Sequence, residues 1–160
     1  MALPTVVIGL IVYAFISRAG PLGGLGILFT PAAVILGQAI LAFPIVASLT
    51  ASGLSGLDPL FPEVLTTLGA NRGDILWMSL RQGRGAVLSA ALAAFGRVVG
   101  EVGAAMMLGG NIRWYTRTIT TAIALETSKG EFEQGLALGI ILMATALGVN
   151  ALLHAVVKHE

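Results

Sequence analysis

An all-α bundle of membrane-crossing helices is the fold class this sequence predicts, and three observations predict it. Only 11% of the 160 residues are charged against 56% hydrophobic, with a mean hydropathy of +0.92, whereas globular domains carry roughly 25% charged residues. The few charges are unevenly placed: none occurs from Ala19 to Leu57, and none from Gln134 to Val157. An uncharged apolar stretch of about 18 residues or more can cross a bilayer as a helix. Finally, the polar–apolar alternation of a closed strand barrel is missing, and only helices and closed barrels satisfy their own backbone in lipid. The chain is expected to form one polytopic domain over residues 1–160, with about four spans.

The first span is placed at about 3–17. It is short, with Pro4 where a helix should be starting, and this abrupt start points to a further span upstream. The stretch "MALPTVVIGLIVYAF" lacks the basic flank and small-x-small cleavage site of a signal peptide, so it is read as retained. "RAGPLGGLG" follows, a Gly/Pro turn too irregular to face lipid. The second span covers about 31–50, with Pro44 a kink of the kind membrane helices tolerate. A charged segment over about 61–84 precedes the third span at about 85–108. Next comes a mixed loop, about 109–131, whose apolar middle, Ile119 to Leu125, is too short to span and suits an interfacial or re-entrant helix. Trp114 and Tyr115 in this loop are placed as interfacial anchors. The fourth span covers about 132–157.

Small residues recur at four-residue spacing: Gly96 and Gly100, Gly135 and Gly139, Ala144 and Gly148. In lipid this spacing lets helix backbones approach, either in ordinary bundle packing or along a dimer seam. Cations do not set the orientation. Arg72, Arg81, Arg84 and Lys158 on one side balance Arg18, Arg113, Arg117 and Lys129 on the other, so the positive-inside rule is tied.

Composition also excludes functions. A formal net charge of +1 gives no basic field for nucleic acid. The absence of cysteine removes disulfides, thiol catalysis and thiolate metal sites. His154 and His159 have no companion ligands, so no metal is expected. Met106 and Met107 are read as packing residues. No G-x-x-x-x-G-K-[ST] run occurs, so ATP hydrolysis by that route would belong to a partner.

The polar segment "FPEVLTTLGANRGDILWMSLRQGRG" interrupts the oily chain for a reason its pattern suggests. Leu65, Leu68, Ile75, Leu76 and Leu80 follow helical spacing, Pro62 suits a first turn, and Gly69 and Gly73 mark a break. The expected product is a helix–turn–helix on the membrane surface with a charged, glycine-hinged elbow that another protein could grip.

Glu63, Gly69 and "ANRGDIL" resemble the EAA loop of binding-protein-dependent ABC importer permeases. The match is incomplete, since Val64 and Leu65 replace the two alanines and Ser79, Arg81 and Gln82 stand where Ile, Leu and Pro are expected. A second stretch, "GRVVGEVGAAMMLGGNIRWYTRTITTAI", resembles oxyanion importer permeases of the molybdate, sulfate and tungstate group through Gly100, Glu101, Gly103, Gly110, Asn111, Ile112, Thr116, Arg117 and Thr118. "TTAIALETSKGEFEQGLALG" and "SRAGPLGGLGILFTP" resemble the tungstate-type permeases most.

The resemblance covers nearly the whole chain and implies a type I importer permease in a bacterial or archaeal cell membrane, with one membrane helix upstream of this sequence. It implies a non-catalytic subunit that works as a dimer with a second permease copy. Two ATPase subunits would bind the ATP, and a soluble oxyanion-binding protein would deliver the anion. The 61–84 loop would then be the cytoplasmic coupling helix, with Glu63, Gly69, Ala70, Asn71, Arg72, Gly73 and Asp74 as coupling residues. Gly69 would permit the sharp turn, Arg72 and Asp74 would make charged contacts with the ATPase, and Glu63 would brace the elbow at a helix N-terminus.

Arg97 and Glu101 lie inside the third span at i, i+4 and are read as sharing a helix face. Ionisable groups at this depth are costly and pair or point inward. They are either a structural ion pair or, through Arg97, a fleeting contact for an oxyanion. "GGNIR" is either a helix C-cap or an anion-cradling run of N–H groups. Gly110, Asn111, Arg113 and Arg117 belong to the external loop, the arginines serving binding-protein docking or the loop's own folding.

Two rival classes remain. Gly53-Leu54-Ser55-Gly56 matches the GxSG of intramembrane serine proteases, with His154 later in the chain, but a four-residue match in a glycine-rich chain is weak and "HAVVKHE" follows no protease pattern. A stand-alone channel or secondary transporter would be favoured by paired broken helices in two repeated halves, and no internal repeat is found.

Overall fold

A computed structural model describes residues 4–58 and 60–158. Every regular element among them is helical. α1 spans Thr5–Ile16 and leads through a single 3-10 turn at Gly23–Leu25 into α2, Pro31–Leu54. The short pair α3, Leu60–Thr67, and α4, Arg72–Gln82, precedes α5, Arg84–Val99, and α6, Gly103–Gly109. α7, Ile119–Ser128, and α8, Phe132–Lys158, complete the chain.

Among the described residues, α2 and α8 are the two helices long and apolar enough to cross a membrane on their own. At 1.5 Å per residue the 24 residues of α2 reach about 36 Å, more than the roughly 30 Å of hydrocarbon. α2 starts on Pro31, where a missing N–H costs nothing, and carries Pro44 without interruption. α1 has 12 residues, about 18 Å, too little to cross the hydrocarbon unaided. Leu3, at the start of the expected first span, and His159 lie outside the described residues, as does the side chain of His154.

The third span departs from its expected form. The segment over 85–108 is not one helix: α5 ends at Val99, α6 starts at Gly103, and the two are bent by 68°. The Arg97–Glu101 spacing is therefore not a helical i, i+4 pair, because the helix stops between them. The apolar Ile119 to Leu125 stretch is helical as expected, within α7.

α2 packs against α1, α5 and α6, and α6 lies between α1 and α2. Val12 and Ile16 of α1, Ala33 of α2 and Leu108 of α6 form the buried core, with Ile8, Ile27 and Leu28 packed on it. Removing such side chains from water or lipid contact matters less here than close fit, because in a bilayer association rests on packing. Gly53 shows that fit, since a Cβ there would strike the Cβ of Ala86 on α5. The repeated small residues behave differently. Gly135 packs against Thr127 of α7, whereas Gly96, Gly139 and Gly148 face open space within this chain.

Gly53→Ala should therefore force α2 and α5 apart, at about 1–3 kcal/mol for an overpacked contact. Gly139→Ala has nothing to meet. Thermal unfolding in detergent should show a lowered midpoint for Gly53→Ala and a midpoint at or above the parent's for Gly139→Ala.

Candidate functional site

Two places break the apolar bundle, and both are built by capping chemistry. The first is the elbow between α3 and α4. α3 ends in a Schellman motif: the Gly69 N–H donates to the Thr66 carbonyl at 3.0 Å and the Ala70 N–H to the Leu65 carbonyl at 3.0 Å. Gly69 takes φ 83°, and because a Cβ there would meet nothing, the backbone angle alone demands glycine. Asn71 then caps α4, its Oδ1 accepting from the N–H groups of Gly73 at 2.8 Å and Asp74 at 3.0 Å. Asp74 Oδ2 accepts from the Asn71 N–H at 3.1 Å, closing a reciprocal capping box.

The turn is thus confined to residues 68–71. Gly73, expected at the break, instead lies in the first turn of α4. Glu63 stands in the first turn of α3, where a carboxylate complements the positive helix end. Glu63, Gly69, Asn71, Arg72, Gly73 and Asp74 are all exposed and Ala70 is half-buried. Of the apolar residues at helical spacing only Leu65 is buried. Leu68, Leu76 and Trp77 stay exposed around the charged turn, the composition of a contact surface rather than of a solvated loop. Behind the elbow, between it and the end of α2, is a cavity of about 510 Å³ lined by Leu54, Phe61, Ile75 and Leu76, with Asp58 and Arg72 among its walls. Ser55 also lines it, and its hydroxyl donates to the Ser52 carbonyl at 2.7 Å.

The second place is the break at Gly100–Val102. Glu101 is only 6% exposed. Its Oε1 accepts from the Ala104 N–H at 3.2 Å, and its Oε2 lies 3.6 Å from a terminal nitrogen of Arg97, which is 52% exposed. Thr120 of α7 donates to the Glu101 carbonyl oxygen at 3.2 Å. The carboxylate therefore joins the end of α5 to the start of α6, while α7 holds the backbone between them.

The loop after α6 is a self-folded turn. Gly110, φ 69°, caps α6 by donating to the Met106 carbonyl at 2.9 Å, which is the C-cap reading of "GGNIR". Asn111 donates from Nδ2 to the Thr121 carbonyl at 3.3 Å. It also accepts from Arg117 Nε at its Oδ1, 3.1 Å, and from an Arg117 terminal nitrogen at its carbonyl, 3.4 Å. Arg117 thus folds its own loop. Arg113 is exposed and sits 5.2 Å over the Trp114 ring, itself 89% exposed. Sequence reasoning named Thr116 and Thr118 only through the resemblance and gave the threonines no structural role: Thr116, buried, donates to the Gly109 carbonyl, and half-buried Thr118 forms the capping box of α7 with buried Thr121. The T-x-x-T spacing at the head of an apolar run was the available signal.

The sequence profile of binding-protein-dependent transport system inner membrane components matches residues 1–159. The chain belongs to that family. It is 44% identical over 157 residues to a probable anion ABC transporter permease protein of Haloferax volcanii, covering 95% of this chain and 68% of that one. It is 44% identical to the tungstate uptake system permease protein TupB of Campylobacter jejuni, covering 96% and 64%. The molybdenum transport system permease protein ModB of Mycobacterium tuberculosis is 34% identical, covering 94% and 61%. The chain thus spans about two thirds of the length of these relatives. With its apolar helices, membership of this permease family makes it a multi-pass membrane protein.

Asn111→Ala removes the acceptor of Arg117 and the donor to Thr121, so the loop of this permease family member should loosen by about 1–3 kcal/mol. Limited proteolysis should cut between Gly110 and Thr118 faster in the variant, with Arg113→Ala as the unaffected control.

Proposed function

We propose that this chain is the membrane-spanning part of an ATP-driven importer for a tetrahedral oxyanion, tungstate in the first instance. Two copies form the pathway between them about a two-fold axis. Two ATPase subunits seat on the elbow at the cytoplasmic face, and a soluble binding protein delivers the anion on the other side. The names borne by its relatives support the substrate class, and molybdate is the second choice because the molybdenum permeases are also similar.

One observation carries the coupling role: the elbow is both exposed and internally fixed. A turn closed by a Schellman motif and a capping box has little freedom of its own. Force applied to the patch of Leu68, Leu76 and Trp77 is then passed to the helices that follow, instead of being absorbed by the turn. Arg72, exposed beside that patch, supplies a charged contact without capping duties. On this reading the ATPase subunits bind the nucleotide, and the energy enters through that contact.

Gly69→Val puts a β-branched residue at φ 83°, a strain of about 1–3 kcal/mol, and Asp74→Arg removes the brace on Asn71 while reversing charge. Both are expected to insert normally and to uncouple ATP hydrolysis from oxyanion uptake in reconstituted vesicles. Arg72→Glu separates charge from capping and should weaken ATPase binding alone. Normal coupling in all three would remove the elbow from the mechanism. Uptake surviving a Walker-lysine substitution in the co-expressed ATPase would favour a stand-alone transporter.

A further inference from the structure

Arg97 lies close to the midpoint of the broken span that runs from Arg84 to Gly109. A cation at that depth cannot be left against hydrocarbon without large cost. Yet its side chain is half-exposed, and its ion-pair partner among the described residues is Glu101, with Oε2 at 3.6 Å. That separation is longer than a hydrogen bond, so the five guanidinium donors remain to be satisfied. The exposed face around it is not made for lipid: Ser89, Ala93 and Gly96 accompany Arg97, and a Cβ at Gly96 would meet open space. The exposed face of α8, with Leu136, Ile140 and Leu147, is what a lipid-facing surface of this chain looks like.

Glu101 determines what such an arginine can do. Its carboxylate is buried and tethered through Oε1 to the Ala104 N–H, so it cannot follow the guanidinium outward. Its charge offsets that of Arg97, while the guanidinium, at 3.6 Å and with no hydrogen bond among the described residues, keeps its planar donor fork available. That fork matches two oxygens of a tetrahedral oxyanion. An anion must displace only a long ion-pair contact to engage it, and the fixed negative charge repels the anion again, which keeps the contact weak enough for passage.

Resting on the permease reading above, we infer that Arg97 is a transit contact for the transported oxyanion, held weak by the buried Glu101 behind it. These 160 residues contain no cysteine, so a single introduced thiol has no competing thiol within them. The experiment uses the full-length permease assembled with its ATPase and binding protein in lipid vesicles, carrying Arg97→Cys, Gly96→Cys or Leu147→Cys. A membrane-impermeant thiol reagent bearing a sulfonate should modify the thiols at 96 and 97, and excess tungstate should slow modification at 96, where Arg97 is retained. The thiol at 147 should react only with a lipid-soluble maleimide. Arg97→Gln should lower uptake by about ten-fold or more, the size of one charge-assisted contact, while binding-protein-stimulated ATP hydrolysis persists. Arg97→Lys should retain part of the uptake.

Thiols at 96 and 97 reached only from lipid, a lack of protection by tungstate, or full uptake by Arg97→Gln would each overturn the inference. If Arg97→Cys does not assemble, Gly96→Cys on the same face decides the question in its place. Should the parent protein itself show no ATP-dependent uptake of tungstate or molybdate, the permease reading fails first. Should the parent transport normally, a negative result falls on Arg97 alone.

Discussion

Within a bilayer no water is available to an unpaired backbone group, and this constraint organises the structure. A span that bends by 68° in mid-course must find partners for the N–H groups its second half exposes. Here the chain supplies an acceptor one residue before the cap position of α6: Glu101 receives the Ala104 N–H. Thr120 fixes the intervening carbonyl from α7. The charge this brings into the bundle is in turn met by Arg97. Each group is thus present because of the one before it, and removal of the carboxylate would strand both a helix end and a cation.

The same capping logic produces the opposite result at the elbow. There the groups are exposed, the turn is four residues long, and side chains of Asn71 and Asp74 close on each other's backbone. A rigid, wet protrusion and a bent, dry span use the same chemistry because both interrupt helices. They differ in what surrounds them, apolar contact patches in one case and packed α1, α6 and α7 in the other. Gly83 alone separates α4 from α5, so the two places lie on consecutive helices.

Much of this was legible from composition. The uncharged runs place α2 and α8 to within a few residues, and the spacing of Leu65 and Ile75 around Gly69 yields a helix pair with its turn. The break in the third span was not legible, for a physical reason. Hydropathy runs unbroken through Val98, Val99 and Val102, and Arg97 with Glu101 fits a continuous helix as well as an interrupted one. What selects the interrupted form is Thr120, 19 residues away, and packing of Ala104 and Ala105 into the bundle. Sequence spacing likewise singled out Gly135, which packs on α7, together with Gly139 and Gly148, which face open space, and it passed over Gly9 and Gly53, where helices of the chain approach closely. A motif registers where backbones could meet; only the tertiary arrangement determines where they do.

α6 has a consequence of its own. It holds seven residues, about 10 Å, with Glu101 just before its start and the Gly110–Thr118 turn at its end. So short a rod, capped tightly at both termini, has almost no capacity to flex. A displacement of the turn would therefore reach the buried carboxylate, about two helical turns away, with little lost to bending of the rod between them.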